Sequence, residues 1–107
     1  EDIQQAPIIE YAAILNVGTV KVGKKLTSKL TIGNAGLNPL QIRRAYSNDG
    51  NISIVPPKGI KGGKSEVLPI TINAVNVKPG QYNREVTIIT NDPKKPVVKV
   101  KVIWTVE

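Results

Sequence analysis

"NDPKKPVVKVKVIWTV", residues Asn91 to Val106, decides the fold. From Val98 every second residue is apolar (Val98, Val100, Val102, Trp104, Val106), while Lys99, Lys101 and Thr105 fall between them. A period of two puts one row on each face of a pleated strand, so this is a strand with one face buried. Ahead of it, Asn91-Asp92-Pro93 starts a tight turn, Pro93 fixes φ, and Pro96 restarts the chain where a missing N–H does no harm.

The same pattern recurs upstream. "KLTSKLTIGN" sets Leu26, Leu30 and Ile32 against Thr27, Lys29 and Thr31, and "LQIRRAYS" turns Leu40 and Ile42 inward. "ISIV" aligns Ile52 with Ile54, "SEVLPITIN" aligns Leu68, Ile70 and Ile72, and "YNREVTIIT" buries Val86 and Ile88. Pro69 cannot donate a ladder hydrogen bond and marks an edge or a bulge. Asp49-Gly50 reads as a two-residue hairpin turn that needs positive φ. "NAGLNP", "PPKGIKGGK", "NVKPGQ" and "NDPKKP" separate the runs with turn-forming residues, and no segment keeps helical spacing over three turns. Six or seven short strands at this spacing predict an all-β fold, a single immunoglobulin-like antiparallel β-sandwich of about seven strands, over residues 12–107. Residues 1–11 are expected to be an N-terminal extension or linker, although Ile3, Pro7, Ile8 and Ile9 also suit an extra strand.

A length of 107 residues suits one domain. With no Phe, and only Tyr11, Tyr46, Tyr82 and Trp104 as aromatics, the core must be aliphatic. No apolar run approaches the roughly 18 residues of a membrane helix, so no membrane-spanning segment is expected. No signal peptide is visible, and a chain starting at Glu1 leaves the compartment open.

The chain has neither His nor Cys, which closes imidazole proton transfer, thiol chemistry and ordinary zinc sites. The eight carboxylates are expected at chain ends, turns or solvent-facing strand positions. "GTVKVGKK", Gly18 to Lys25, meets Gly-x-x-x-x-Gly-Lys, but Lys25 replaces the Ser or Thr that holds magnesium, and a strand follows where a helix is needed. "NDGN" offers one carboxylate, Asp49, too few for a calcium loop. The expectation is therefore no enzyme, no catalytic residue, no metal, no cofactor and no small-molecule substrate.

"NVGTVKVGKKLTSKLTIGNAGLNPLQI", "GGKSEVLPITINA" and "KPGQYNREVTIITNDPKKPVVKVKV" together resemble the secreted bacterial family catalogued as domain of unknown function 1573. That family is similar to the immunoglobulin-like domains of hydin, abnormal-spindle and major sperm protein. The resemblance spans about Leu15 to Val106 and rests on Val17-Gly18-Thr19-Val20 with Gly23, on Asn34 through Pro39, and on Thr90-Asn91-Asp92-Pro93 with Pro96. Where members carry Cys-Gly-Cys, this chain reads "YSNDGN", so no thiol or metal role carries over. The resemblance implies export to the periplasm or cell surface of a Gram-negative bacterium.

Charge is the remaining signal: 15 basic against 8 acidic residues give a formal +7, which steers anionic partners. Sandwich topology should gather "NAGLNP", "PPKGIKGGK" and "NDPKKP" at one end, bringing Lys58, Lys61 and Lys64 near Lys94 and Lys95 as a possible anion- or partner-binding group. Lys21, Lys24, Lys25 and Lys78 should lie at the other end. Lys99 and Lys101 read as outward guards of a sheet edge. The expected role is a non-catalytic module that binds another envelope protein or spaces a flanking domain. The alternative is a polyanion-binding module, for anionic polysaccharide, lipid headgroup or nucleic acid, that uses the loop lysines.

Overall fold

The computed structural model describes residues 5–107, with no helix among them. The elements are β1 (Ile9–Glu10), β2 (Ile14–Val20), β3 (Lys25–Asn34), β4 (Leu40–Ser47), β5 (Ile52–Ile54), β6 (Gly59–Ile60), β7 (Ser65–Asn73), β8 (Gly80–Thr90) and β9 (Val97–Val106). They form two sheets, ordered β1-β3-β7-β5 and β2-β9-β8-β4-β6. All pairings are antiparallel except that of β2 with β9. This is the expected β-sandwich, 49 Å along its longest axis.

The alternating rows meet between the sheets. Leu30, Ile32, Leu68 and Ile70 of one sheet are among the fully buried side chains, and Leu40 of β4, Ile88 of β8 and the row Val98, Val100, Val102, Trp104 and Val106 of β9 come from the other. Each such aliphatic side chain contributes about 1.5–3 kcal/mol through its removal from water. Trp104 stacks on Tyr82, with ring centroids 5.7 Å apart, and the Tyr82 hydroxyl donates to the Lys78 carbonyl at 2.6 Å.

The chain changes sheets near its start. Of residues 1–11, residues 1–4 lie outside the described residues; Ala6 and Ile9 are buried, and β1 pairs with the end of β3. The chain then crosses, and β2 runs parallel to β9. Register slips between Asn16 and Gly18, where Gly18 holds φ at 106°, a value glycine adopts without Cβ strain. The Asn16 side chain accepts the Gly18 N–H at 3.1 Å and fixes the kink.

Three local expectations need correction. Asp49-Gly50 is not a hairpin turn: Gly50 has no positive φ, and β4 and β5 belong to different sheets. Asp49 instead accepts the Asn51 N–H at its side chain (2.8 Å) and the Ile52 N–H at its carbonyl (3.1 Å), turning the chain across the sandwich. Pro69 lies neither on an edge strand nor at a bulge, because β7 sits between β3 and β5 and its ladder to β3 is unbroken. The Pro69 carbonyl accepts from Val55 at 3.3 Å, so its ring nitrogen faces the same side, just beyond the last β5 pair at Ile54. Lys101 guards no edge, since β9 lies between β2 and β8 and Lys101 pairs with Ile14; Lys99 pairs with Glu85 at 3.3 Å on the exposed face.

Burial sets the sensitivity to truncation. Ile88→Ala should destabilise the domain by about 3 kcal/mol, whereas Val55→Ala, at a residue 68% exposed, should stay within about 0.5 kcal/mol. Urea unfolding followed by Trp104 fluorescence measures both.

Candidate functional site

Two buried polar side chains assemble one end of the sandwich. Asn34, at the end of β3, is 2% exposed. Its Oδ1 accepts the N–H groups of Ile8 (3.1 Å) and Gly36 (2.9 Å), and its Nδ2 donates to the carbonyls of Asn38 (2.8 Å) and Ile60 (3.0 Å). One carboxamide thus joins the N-terminal segment, its own loop and the end of β6. All four hydrogen bonds it can form with two lone pairs and two protons are made.

Asp92 does the same work for the turn before β9. It lies in the turn expected of it and is, like Asn34, 2% exposed. Its Oδ2 accepts the Ile9 N–H at 2.9 Å, and its Oδ1 accepts those of Lys94 (2.8 Å) and Lys95 (3.2 Å). Thr90 completes the turn: its hydroxyl donates to the Lys95 carbonyl at 2.9 Å and accepts the Asp92 N–H at 3.1 Å. Asn91 ties this turn to the neighbouring loop by accepting the Gln41 N–H (2.7 Å) and donating to the Pro39 carbonyl (3.3 Å).

Close packing of backbone against backbone needs glycine at this end. A Cβ on Gly36 would overlap the Ala6 carbonyl oxygen and sit 2.8 Å from the Pro7 Cα, and one on Gly62 would overlap the Leu37 carbonyl oxygen. The segment 5–8, the loop 34–39 and the loop 61–64 are therefore in direct backbone contact.

The loops that carry Lys58, Lys61, Lys64, Lys94 and Lys95 meet here, and all five side chains are exposed. Lys95 Nζ lies 5.8 Å over the Tyr11 ring. Apolar side chains are exposed at this end as well: Leu37 is 73% exposed, Ile8 is 46% exposed, and Ala6, Pro7, Ile8 and Pro93 line a cleft of about 140 Å³ together with Asp92, Lys94 and Lys95. Asn34 through Pro39 and Thr90 through Pro93 carry legible turn signals; the long-range bonds of Asn34 and Asp92, and the apolar surface they support, do not show in local pattern. Among the described residues no three His, Cys, Asp or Glu side chains gather into a possible metal site, and Asp49 is ion-paired with Arg84 at 2.9 Å. Nor, among the described residues, is any helix long and apolar enough to cross a membrane.

Two packed sheets, with the first strand in one and the second in the other, and a loop end locked by side-chain hydrogen bonds define an immunoglobulin-like, non-catalytic type of module. The chain belongs to the HYDIN/CFA65/VesB-like Ig-like domain family, whose model matches residues 7–103. No curated protein matches it in sequence. Among solved structures, a protein of unknown function from Porphyromonas gingivalis W83 is 23% identical, with a TM-score of 0.83, over 98% of this chain and 49% of its own. This chain therefore spans about half the length of that protein. The ASH / PapD-like domain of human CEP192 is 12% identical, with a TM-score of 0.75, over 100% of this chain and 89% of its own. The secreted serine protease VesC from Vibrio cholerae is 18% identical, with a TM-score of 0.66, over 98% of this chain and 24% of its own.

Removal of the Asp92 carboxylate should leave the Ile9, Lys94 and Lys95 N–H groups without partners. Asp92→Ala should destabilise the domain by about 3 kcal/mol, and Asp92→Asn, which keeps one acceptor, by less. Urea midpoints compared at constant slope measure the difference.

Proposed function

We propose that this chain is a non-catalytic interaction module whose loop end binds another protein, and that it works in the bacterial cell envelope. The observation that carries the first part is the exposure of Leu37 and Ile8 at the end of the sandwich whose loops carry exposed Lys58, Lys61, Lys64, Lys94 and Lys95. An apolar centre within a charged rim is the anatomy of a specific protein interface. The Asn34 and Asp92 bonds hold the backbone beneath it, so little ordering is needed on docking. The partner this surface suits presents an apolar side chain ringed by Asp or Glu. Envelope localisation, and finer membership in the family catalogued as domain of unknown function 1573, are supported by the turn motifs and by likeness to a Porphyromonas protein and a secreted Vibrio one.

The test is affinity capture from envelope and whole-cell extracts, with and without nuclease, at low and high salt, followed by titration of the recovered partner. A protein retained after nuclease and high salt is expected. Leu37→Asp should weaken it about thirtyfold, the scale of a lost anchor, and alanine at Lys58, Lys61, Lys94 and Lys95 should act mainly on association rate. Retention of nucleic acid or glycan alone, lost in high salt and abolished by the lysine variant, would establish the polyanion reading instead.

A further inference from the structure

The sandwich has a second surface, on the edge of its smaller sheet. β3 pairs with β7 along its whole length, from Lys25↔Asn73 to Gly33↔Ser65, but its other neighbour, β1, covers only Gly33 and Asn34. The chain leaves this edge after Glu10 to join β9 in the other sheet, so among the described residues nothing pairs with β3 on this side from Lys25 to Ile32.

The direction of each backbone group follows from the ladder. Asn34 exchanges hydrogen bonds with the loop before β7: its N–H donates to the Lys64 carbonyl (2.9 Å) and its carbonyl accepts the Gly63 N–H (2.8 Å). At the far end the Ala74 N–H donates to the Lys24 carbonyl (2.9 Å). Even-numbered β3 residues therefore turn their backbone groups to β7, and odd-numbered ones turn theirs away, as Ala35 does in donating to the Ile8 carbonyl at 2.8 Å. Lys25, Thr27, Lys29 and Thr31 thus direct N–H and C=O groups off the sheet, and among the described residues no strand or loop pairs with them. All four side chains are exposed as well.

We infer that this edge accepts an extended, acidic segment of a partner protein as an added antiparallel strand. Four outward residues provide alternating donors and acceptors for a segment of about seven residues. Charge selects the occupant. Lys25 and Lys29 stand on the exposed face, and their register partners Asn73 and Pro69, like Thr71 and Val67 between and beside them, carry no charge. Opposite charges directly across strands attract and like charges repel. A segment with carboxylates four residues apart would face both lysines at once, with β-branched residues between. A second copy of β3 is disfavoured, because antiparallel registers centred on Thr27 or on Lys29 bring lysine against lysine. The site is independent of the loop end, from which the exposed stretch begins beyond β1.

The test uses the full chain, labelled with ¹⁵N, and a synthetic peptide, Thr-Val-Glu-Val-Thr-Val-Glu-Val-Thr. Binding should perturb and protect from exchange the amides of Thr27, Lys29 and Thr31. Lys25→Glu with Lys29→Glu should weaken it about tenfold, and the same peptide with Lys for Glu should bind the wild type at least as weakly. Thr27→Pro removes an outward N–H without removing a backbone bond to β7, as Pro69 already does on the neighbouring strand; it gives up only the exposed Thr27–Thr71 hydroxyl bond (2.9 Å) and should abolish binding while the amide spectrum stays dispersed. No binding at millimolar peptide, perturbation confined to other residues, or binding unchanged in Thr27→Pro would each overturn the assignment, as would dimerisation of the free protein through β3. Peptide binding lost in Thr27→Pro and kept in Leu37→Asp would separate this edge from the loop-end reading, whereas peptide binding lost in Leu37→Asp and kept in Thr27→Pro would sink this inference and leave the loop-end reading standing.

Discussion

The loop end depends on two side chains that act as backbone. The Asn34 carboxamide and the Asp92 carboxylate between them satisfy N–H groups of Ile8, Ile9, Gly36, Lys94 and Lys95, and Asn34 also caps the carbonyls of Asn38 and Ile60. Four segments distant in sequence would otherwise bury polar groups without partners, at about 1–3 kcal/mol each. Because both side chains are short, the loops are held at hydrogen-bond distance, and the glycines at 36 and 62 are what allow such close approach. A rigid end presenting Leu37, Ile8 and five lysines follows from this network.

The second organising constraint is how the first twenty residues are shared between sheets. β1 completes the edge of one sheet near the loop end, and β2 completes the edge of the other further along. One short segment cannot cover both edges over their full length, so the crossing leaves β3 open from Lys25 to Ile32. Lysine on that edge keeps it from pairing with copies of itself. The same charge leaves it attractive to an acidic strand, so protection and selectivity come from the same two side chains.

The two surfaces use different physics. At the loop end, recognition would rest on burial of apolar side chains with a basic rim that speeds encounter. At the β3 edge it would rest on main-chain hydrogen bonds, with side-chain charge setting the choice of partner. A module with both can join two chains without itself changing shape.

Local pattern determined the faces. Period-two alternation placed Leu30, Ile32, Leu68, Ile70, Ile72 and the row from Val98 to Val106 inside, and each is buried, because the side a strand residue faces depends only on its place in the pleat. Turn chemistry marked the loops, and the lack of His and Cys closed whole classes of reaction before any contact was known. Tertiary structure alone decided which strands pair. It sent β5 to the sheet opposite β4, so Asp49-Gly50 bridges the sandwich, and it set β9 inside its sheet, so the lysines on the open edge are Lys25 and Lys29. It also buried Asp92 within its turn. Each of these outcomes depends on pairing between residues far apart in the chain, and a local pattern carries no record of which backbone groups such pairing leaves unmet.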